Sequence, residues 1–181
     1  MFSLQEKVVY PGHGVAQVSN VVEKTIGGTV AQFYELRLLS RDMTVLVPVS
    51  NVAAAGIRHL SSSEMVDNVF QLLAQPAKKI TDHEQLVSSW NKRNKEYQVK
   101  LRTGSLVEIS KIYRDLKLVA LDKELSFGER TLLTQTEALL VEEISAVKNF
   151  SEDEAIEWLR SSVGYPRIQA TQYSRLNSQS Q

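Results

Sequence analysis

The sequence predicts an α+β protein whose two kinds of structure are segregated along the chain. A small all-β module occupies residues 1–60 and an all-helical module of about five helices follows in residues 61–164. Three observations predict this. Up to residue 60, short β-prone runs alternate with Pro and Gly turns. Beyond it, the signature Ser/Thr-x-x-Glu recurs ahead of amphipathic stretches. The chain is 43% apolar over 181 residues, which suits one ordinary domain or two small ones and excludes a disordered chain.

The β module reads as five short strands. Lys7-Val8-Val9-Tyr10 is the first, stopped by the turn Pro11-Gly12-His13-Gly14. Val15 to Val22 is the second, and Gly27-Gly28 supplies the positive φ of a tight hairpin. In the third, Tyr34, Leu36 and Leu38 alternate with Glu35 and Arg37, the period of a half-buried strand. Ser40-Arg41-Asp42 turns into Met43-Thr44-Val45-Leu46-Val47, closed by Pro48, and Ile57-Arg58-His59-Leu60 is the fifth. Five short strands joined by tight turns predict a strongly bent sheet or small barrel of the SH3 or Tudor sort.

The helical module is punctuated by caps in which a Ser or Thr side chain and a Glu three residues on satisfy free backbone N–H groups. The pairs are Ser61/Glu64, Thr81/Glu84, Ser105/Glu108, Ser126/Glu129 and Ser151/Glu154. Their apolar stripes are Met65, Val66, Val69, Phe70 and Leu73, ended by Pro76; then Tyr97 and Leu101, ended by Gly104. Ile109, Ile112, Leu116 and Val119 mark the third helix, Leu132, Leu133, Leu140, Ile144 and Val147 the fourth, and Ala155, Trp158 and Leu159 the fifth. The polar, unpatterned tail, residues 165–181, is read as disordered.

Several classes of chemistry find no support. The chain has no Cys, which removes disulfides, thiolate zinc sites and cysteine nucleophiles. His13, His59 and His83 are too scattered for a metal site. Gly12-His13-Gly14 is a strand turn, lacking the length and following helix of a phosphate loop. Glu142-Glu143 and Glu152-Asp153-Glu154 read as solvated helix faces and N-terminal caps. Nothing sets a nucleophile beside a base, so a non-enzymatic protein is expected, with no cofactor, metal or small-molecule substrate. The first residues lack the order of a signal peptide, and no apolar run approaches the ~20 residues of a membrane span, so a cytoplasmic protein without a membrane partner is expected.

Lys plus Arg equals Asp plus Glu, so any attraction to nucleic acid must be local. One segment supplies it. From Trp90 onward the chain carries Lys92, Arg93, Lys95, Lys100 and Arg102 against Glu96 alone. Such cations pair with phosphates, and an apolar side chain beside them is the arrangement used to wedge between base steps. The residues alone leave a second reading open, in which Trp90 is packed under Leu86 and Val87 and the helical module is a protein-protein adaptor. In the fourth strand, inward Met43, Val45 and Val47 would leave Thr44 and Leu46 outward, where an edge strand invites a partner strand.

The motifs together resemble the CarD/CdnL family of bacterial transcription regulators. Lys7-Val8-Val9-Tyr10-Pro11-Gly12-His13-Gly14 is similar to its VVYP-x-x-G opening, in a module also similar to the RNA-polymerase-interacting domain of transcription-repair coupling factors. Trp90-Asn91-Lys92-Arg93 resembles its Trp-x-basic-basic motif. Arg102-Thr103-Gly104-Ser105, Tyr113-Arg114-Asp115-Leu116 and Leu125-Ser126-Phe127-Gly128-Glu129-Arg130 resemble its later helical motifs. Lys92 stands where many relatives have Arg, and Asn94 where an aromatic residue is frequent.

The resemblance implies a division of labour. The strand Thr44, Val45, Leu46, Val47 and Pro48 would add to a lobe of the RNA polymerase β subunit. Trp90 would wedge at the upstream edge of the promoter bubble, with Lys92, Arg93 and Lys95 as phosphate partners. Promoter DNA would be bound without strong sequence specificity, and the open promoter complex would be stabilised. The protein would then be nucleoid-associated through the polymerase.

Overall fold

The computed structural model describes residues 1–75 and 90–163. The pair Thr81/Glu84, the stop at Pro76, His83, the cover from Leu86 and Val87, and the tail lie outside these residues. Five strands come first: β1 (Lys7–Tyr10), β2 (Gly14–Ile26), β3 (Thr29–Leu38), β4 (Met43–Pro48) and β5 (Arg58–His59). They form one antiparallel sheet in the order β4-β3-β2-β1-β5. Five described helices follow: α1 (Ser63–Ala74), α2 (Trp90–Arg102), α3 (Leu106–Asp122), α4 (Phe127–Lys148) and α5 (Glu152–Ser162).

Each strand follows from its side-chain period. Tyr34, Leu36 and Leu38 turn inward from β3 and pack with Val8, Ala16, Val18, Val47 and Ile57, while Arg37 stays in water. Gly27 and Gly28, at φ of 60° and 84°, close a two-residue turn in which Ile26 pairs with Thr29. The expected second strand is longer than its β-branched run, because the outer half of β2 continues to pair with β3 as an exposed ribbon. A register shift between Val18 and Asn20 marks an irregularity there, and Ser19 Oγ donates to the Glu35 carbonyl at 2.9 Å. An extra residue at such a point bends and twists a strand, in keeping with a bent sheet.

The caps fall close to expectation and depart in one instructive place. Ser126 and Glu129, and Ser151 and Glu154, each form the full reciprocal box. Ser105 caps α3 alone, since the Glu108 carboxylate turns to Lys111 at 2.6 Å. The first helix is capped by Ser62, not Ser61. Ser61 is committed elsewhere: its N–H and hydroxyl both donate to Glu143 of α4, at 2.9 and 2.7 Å.

That contact belongs to the junction of sheet and helices, and it corrects the reading of Glu142 and Glu143 as solvated. Glu143 is only 3% exposed and receives Arg58 of β5 through two bonds, at 2.8 and 2.9 Å. Arg58 Nε also donates to the Gly104 carbonyl at 3.1 Å. Glu142 is half-buried and accepts the Val15 N–H at 2.9 Å. The helix stripe could not show this, because the partner is a sheet far away in sequence. The junction also explains the β1–β2 turn. A Cβ on Gly14, which sits at φ of 96°, would collide with the Glu142 carboxylate. On the opposite side Pro11 fills the space that Gly104 leaves, where a Cβ would lie 2.8 Å from its Cγ.

The helical core gathers Val66, Val69 and Leu73 of α1, Tyr97 and Leu101 of α2, Ile112, Tyr113 and Leu116 of α3, and Leu132, Leu140 and Ile144 of α4. Ala155 and Leu159 of α5 complete it. Trp158, expected in that stripe, is 51% exposed and rests against Phe70 and Phe150, with ring centroids 5.2 and 5.8 Å away.

Candidate functional site

Two surfaces hold the residues that the sequence singles out. The first is α2. At 100° per residue, Trp90, Arg93, Tyr97 and Leu101 share one face. Tyr97 and Leu101 are buried, and Trp90 is half-buried against the helical core. Burial, and then the nearby Asp115 carboxylate, push the Tyr97 phenol up to about 12, so it stays neutral and serves as packing. The other face carries Asn91, Lys92, Lys95, Gln98, Val99 and Arg102 into water.

The five cations of α2 therefore divide. Arg93 Nη2 lies 3.1 Å from Glu129 Oε1, and Lys100 Nζ lies 3.7 Å from Glu108 Oε2. Among the described residues, Lys92, Lys95 and Arg102 make no ion pair. The local charge offered to an outside anion is thus narrower than the sequence shows, and lies on the outer face, chiefly at Lys92 and Lys95.

Trp90 rests on the first turn of α4. The nearest atoms to a Cβ built on Gly128 would be ring atoms of Trp90, at 3.0 to 3.2 Å. The next residue, Glu129, is 1% exposed and lies at the centre of a charged cluster. Its carboxylate accepts the Ser126 N–H and hydroxyl, each at 2.9 Å, and Lys123 Nζ at 3.2 and 3.3 Å, besides Arg93. Burial works to raise the Glu129 carboxyl, but the Ser126 donors and the Lys123 ammonium outweigh it and hold it below its ordinary range. Phe127, one residue before Gly128, is 81% exposed.

The structure thus brings Trp90 and Arg93 together with Gly128 and Glu129, two motifs that are 36 residues apart at the Arg93–Glu129 contact. Reading the sequence assigned Glu129 to capping alone. The residue pattern signalled the cap, while the second task depends on a partner from another helix.

The second surface is β4. Val45 and Val47 pack into the sheet core, whereas Thr44 and Leu46 are exposed, Leu46 by 39%. Met43 departs from the inward set and is 50% exposed, at the end of the ladder opposite Leu38. Among the described residues β4 pairs with β3 alone, leaving one side of its backbone unpaired.

The described histidines are apart: the His13 ring lies tilted against Tyr10 with centroids 4.5 Å apart, and His59 Nδ1 lies 2.6 Å from Glu6. Among the described residues no group of three His, Cys, Asp or Glu side chains could hold a metal ion. No described helix is long and apolar enough to cross a membrane.

Residues 68–160, more than half of the chain, match the family model of the CarD C-terminal domain, and residues 2–61 match that of the CarD-like/TRCF RID domain. The chain belongs to the CarD family. One relative is a Bacillus subtilis (strain 168) protein named "Putative transcription factor YdeB". It is 25% identical over 152 residues, which cover 84% of this chain and 95% of that protein. The solution NMR structure of the 72-residue N-terminal domain of Myxococcus xanthus CarD is 32% identical. That match covers 33% of this chain and 79% of that domain, with a TM-score of 0.29.

Proposed function

We propose that this CarD-family protein is a non-enzymatic transcription regulator that docks on the RNA polymerase β subunit and stabilises the open promoter complex. Residues 1–60 form the docking module and residues 61–164 the module that meets promoter DNA. The observation that carries the reading is the two-faced α2, with Trp90 half-exposed at one end and Lys92 and Lys95 on the outside, in no ion pair among the described residues. A part-exposed aromatic ring at a helix end, with exposed cations within two turns of it, suits a duplex edge, where phosphates flank an unstacked base step. Arg93 reaches a phosphate only with the donors that Glu129 leaves, so its share is the smaller one.

On the polymerase side, Thr44, Val45, Leu46, Val47 and Pro48 offer a backbone edge unpaired among the described residues, with one outward apolar side chain. Main-chain bonding along such an edge gives affinity, and Leu46 gives the contact some selectivity. Docking raises the effective concentration of the helical module at the promoter, so its own DNA affinity need not be high.

The test uses charge reversal. Lys92→Glu with Lys95→Glu is expected to weaken association with a polymerase–promoter complex and to flatten its salt dependence, while binding to free polymerase is kept. Leu46→Asp is expected to do the reverse, weakening binding to free polymerase. Unchanged salt dependence in the double lysine variant would reject the DNA contact and favour a protein-protein adaptor.

A further inference from the structure

We infer that the first turn of α4, Ser126 to Glu129, is a seat that sets the pose of Trp90, with Gly128 and Glu129 as positioning residues. The inference rests on the reading of Trp90 as the DNA-contacting group, and it assigns a task to residues that touch no DNA themselves.

The geometry has two parts. Gly128 has ordinary helical backbone, so nothing in its φ calls for glycine. What calls for it is space: a Cβ there would stand 3.0 Å from the Trp90 ring, closer than ordinary van der Waals contact. The second part is Glu129. It is almost fully buried, yet two of its donors come from outside its own helix turn or cap. Arg93 brings in the first turn of α2, and Lys123 brings in the end of α3, through its side chain just beyond Asp122. Arg93 is three residues from Trp90, on the same helical face, so its bond to Glu129 holds the first turn of α2 against α4, where the Trp90 ring meets Gly128.

Nearby is a sign that the seat constrains Arg93 closely. Its Nε is buried with no hydrogen-bond partner among the described residues, although Nη2 reaches Glu129. A side chain that leaves one donor unsatisfied to keep another in place is held by geometry beyond its own hydrogen bonding.

The experiment uses the full chain in a Trp158→Phe background, where Trp90 is the one remaining tryptophan. Gly128→Ala and Glu129→Gln are compared by Trp90 emission, acrylamide quenching, circular dichroism and open-complex lifetime with the cognate polymerase. Gln keeps the shape and the capping acceptor but loses the charge that holds Arg93 and Lys123. Both variants are expected to keep their helix content, and both to shift Trp90 emission to the red and raise its quenching about twofold or more. Both should shorten the lifetime of open complexes relative to the parent. Adding Trp90→Ala to either is expected to remove any further difference in lifetime, since the effect passes through that ring.

Wild-type emission and quenching in a folded Gly128→Ala would overturn the seat, whatever the lifetimes show. If only Gly128→Ala moves the ring, the role of Glu129 is overturned. The fluorescence arm contains neither DNA nor polymerase. A moved ring combined with no lifetime effect even of the parent protein therefore rejects the DNA reading and leaves the seat standing.

Discussion

Helix α4 carries two buried glutamates that join different partners with the same chemistry. Glu129, near its start, binds Arg93 and so holds one helix against another. Glu143, near its end, binds Arg58 and so holds the sheet against the helices. Glu129 draws donors from its own cap and from Lys123, and its Arg partner is monodentate at 3.1 Å. Glu143 receives a two-bond Arg plus two donors from Ser61. The difference teaches that a buried carboxylate works here as a junction whose strength depends on its donors. The one held by an arginine fork fixes how the two modules sit, and the one with a single arginine bond tunes a local pose.

The largest expected effect is at the stronger junction. Arg58→Ala leaves the Glu143 carboxylate buried without its cation, and uncoupling such a pair costs about 3–5 kcal/mol. Equilibrium denaturation should show that loss, with the sheet and helix signals no longer melting together. A cost under about 1 kcal/mol would mean that water or Ser61 replaces the guanidinium and that the comparison is wrong.

Next comes the close approach beneath it. Gly14→Ala places a side chain at φ of 96° and into Glu142. A loss of about 1–3 kcal/mol is expected from strain at such a φ, measured by urea denaturation. Glu142→Gln should recover little, because the backbone strain remains.

At the weaker junction, Ser126→Ala removes the cap that surrounds Glu129, for an expected loss of about 0.5–2 kcal/mol in thermal or chemical unfolding. Acid sharpens the same point. The Glu129 carboxyl is held below its ordinary 4.5 in the folded protein. Its contribution is therefore complete above that value and is lost as pH falls through the lower folded value. Trp90 quenching in a Trp158→Phe background is expected to rise over that acid range, and less so in Glu129→Gln.

The smallest effect on stability belongs to the outer face of α2. Lys92→Ala and Lys95→Ala should each change stability by no more than about 0.5 kcal/mol, since neither makes an ion pair among the described residues. A larger change would show that these lysines belong to the fold and would remove them from the proposed DNA contact.

Much of the fold was legible because strand period, turn chemistry and caps are local. Tyr34, Leu36 and Leu38 announce their strand by alternation, and Ser126 with Glu129 announces a helix start. What stayed hidden was every contact between distant segments. Glu143 looks like any exposed helical Glu until Arg58, 85 residues away, arrives beside it. Arg93 looks like one more free cation until Glu129 claims it. The candidate site was legible as a set of residue types, Trp90 with Lys92 and Lys95, and illegible as a pose, because the pose is set by α4.

The most direct measurement is the lifetime of competitor-challenged open promoter complexes formed with the cognate polymerase, comparing no protein, wild type and Trp90→Ala. The account expects wild type to lengthen the lifetime and Trp90→Ala to lose that gain while still binding polymerase. Equal lengthening by wild type and Trp90→Ala would contradict it, as would a wild-type protein that binds polymerase and leaves the lifetime unchanged.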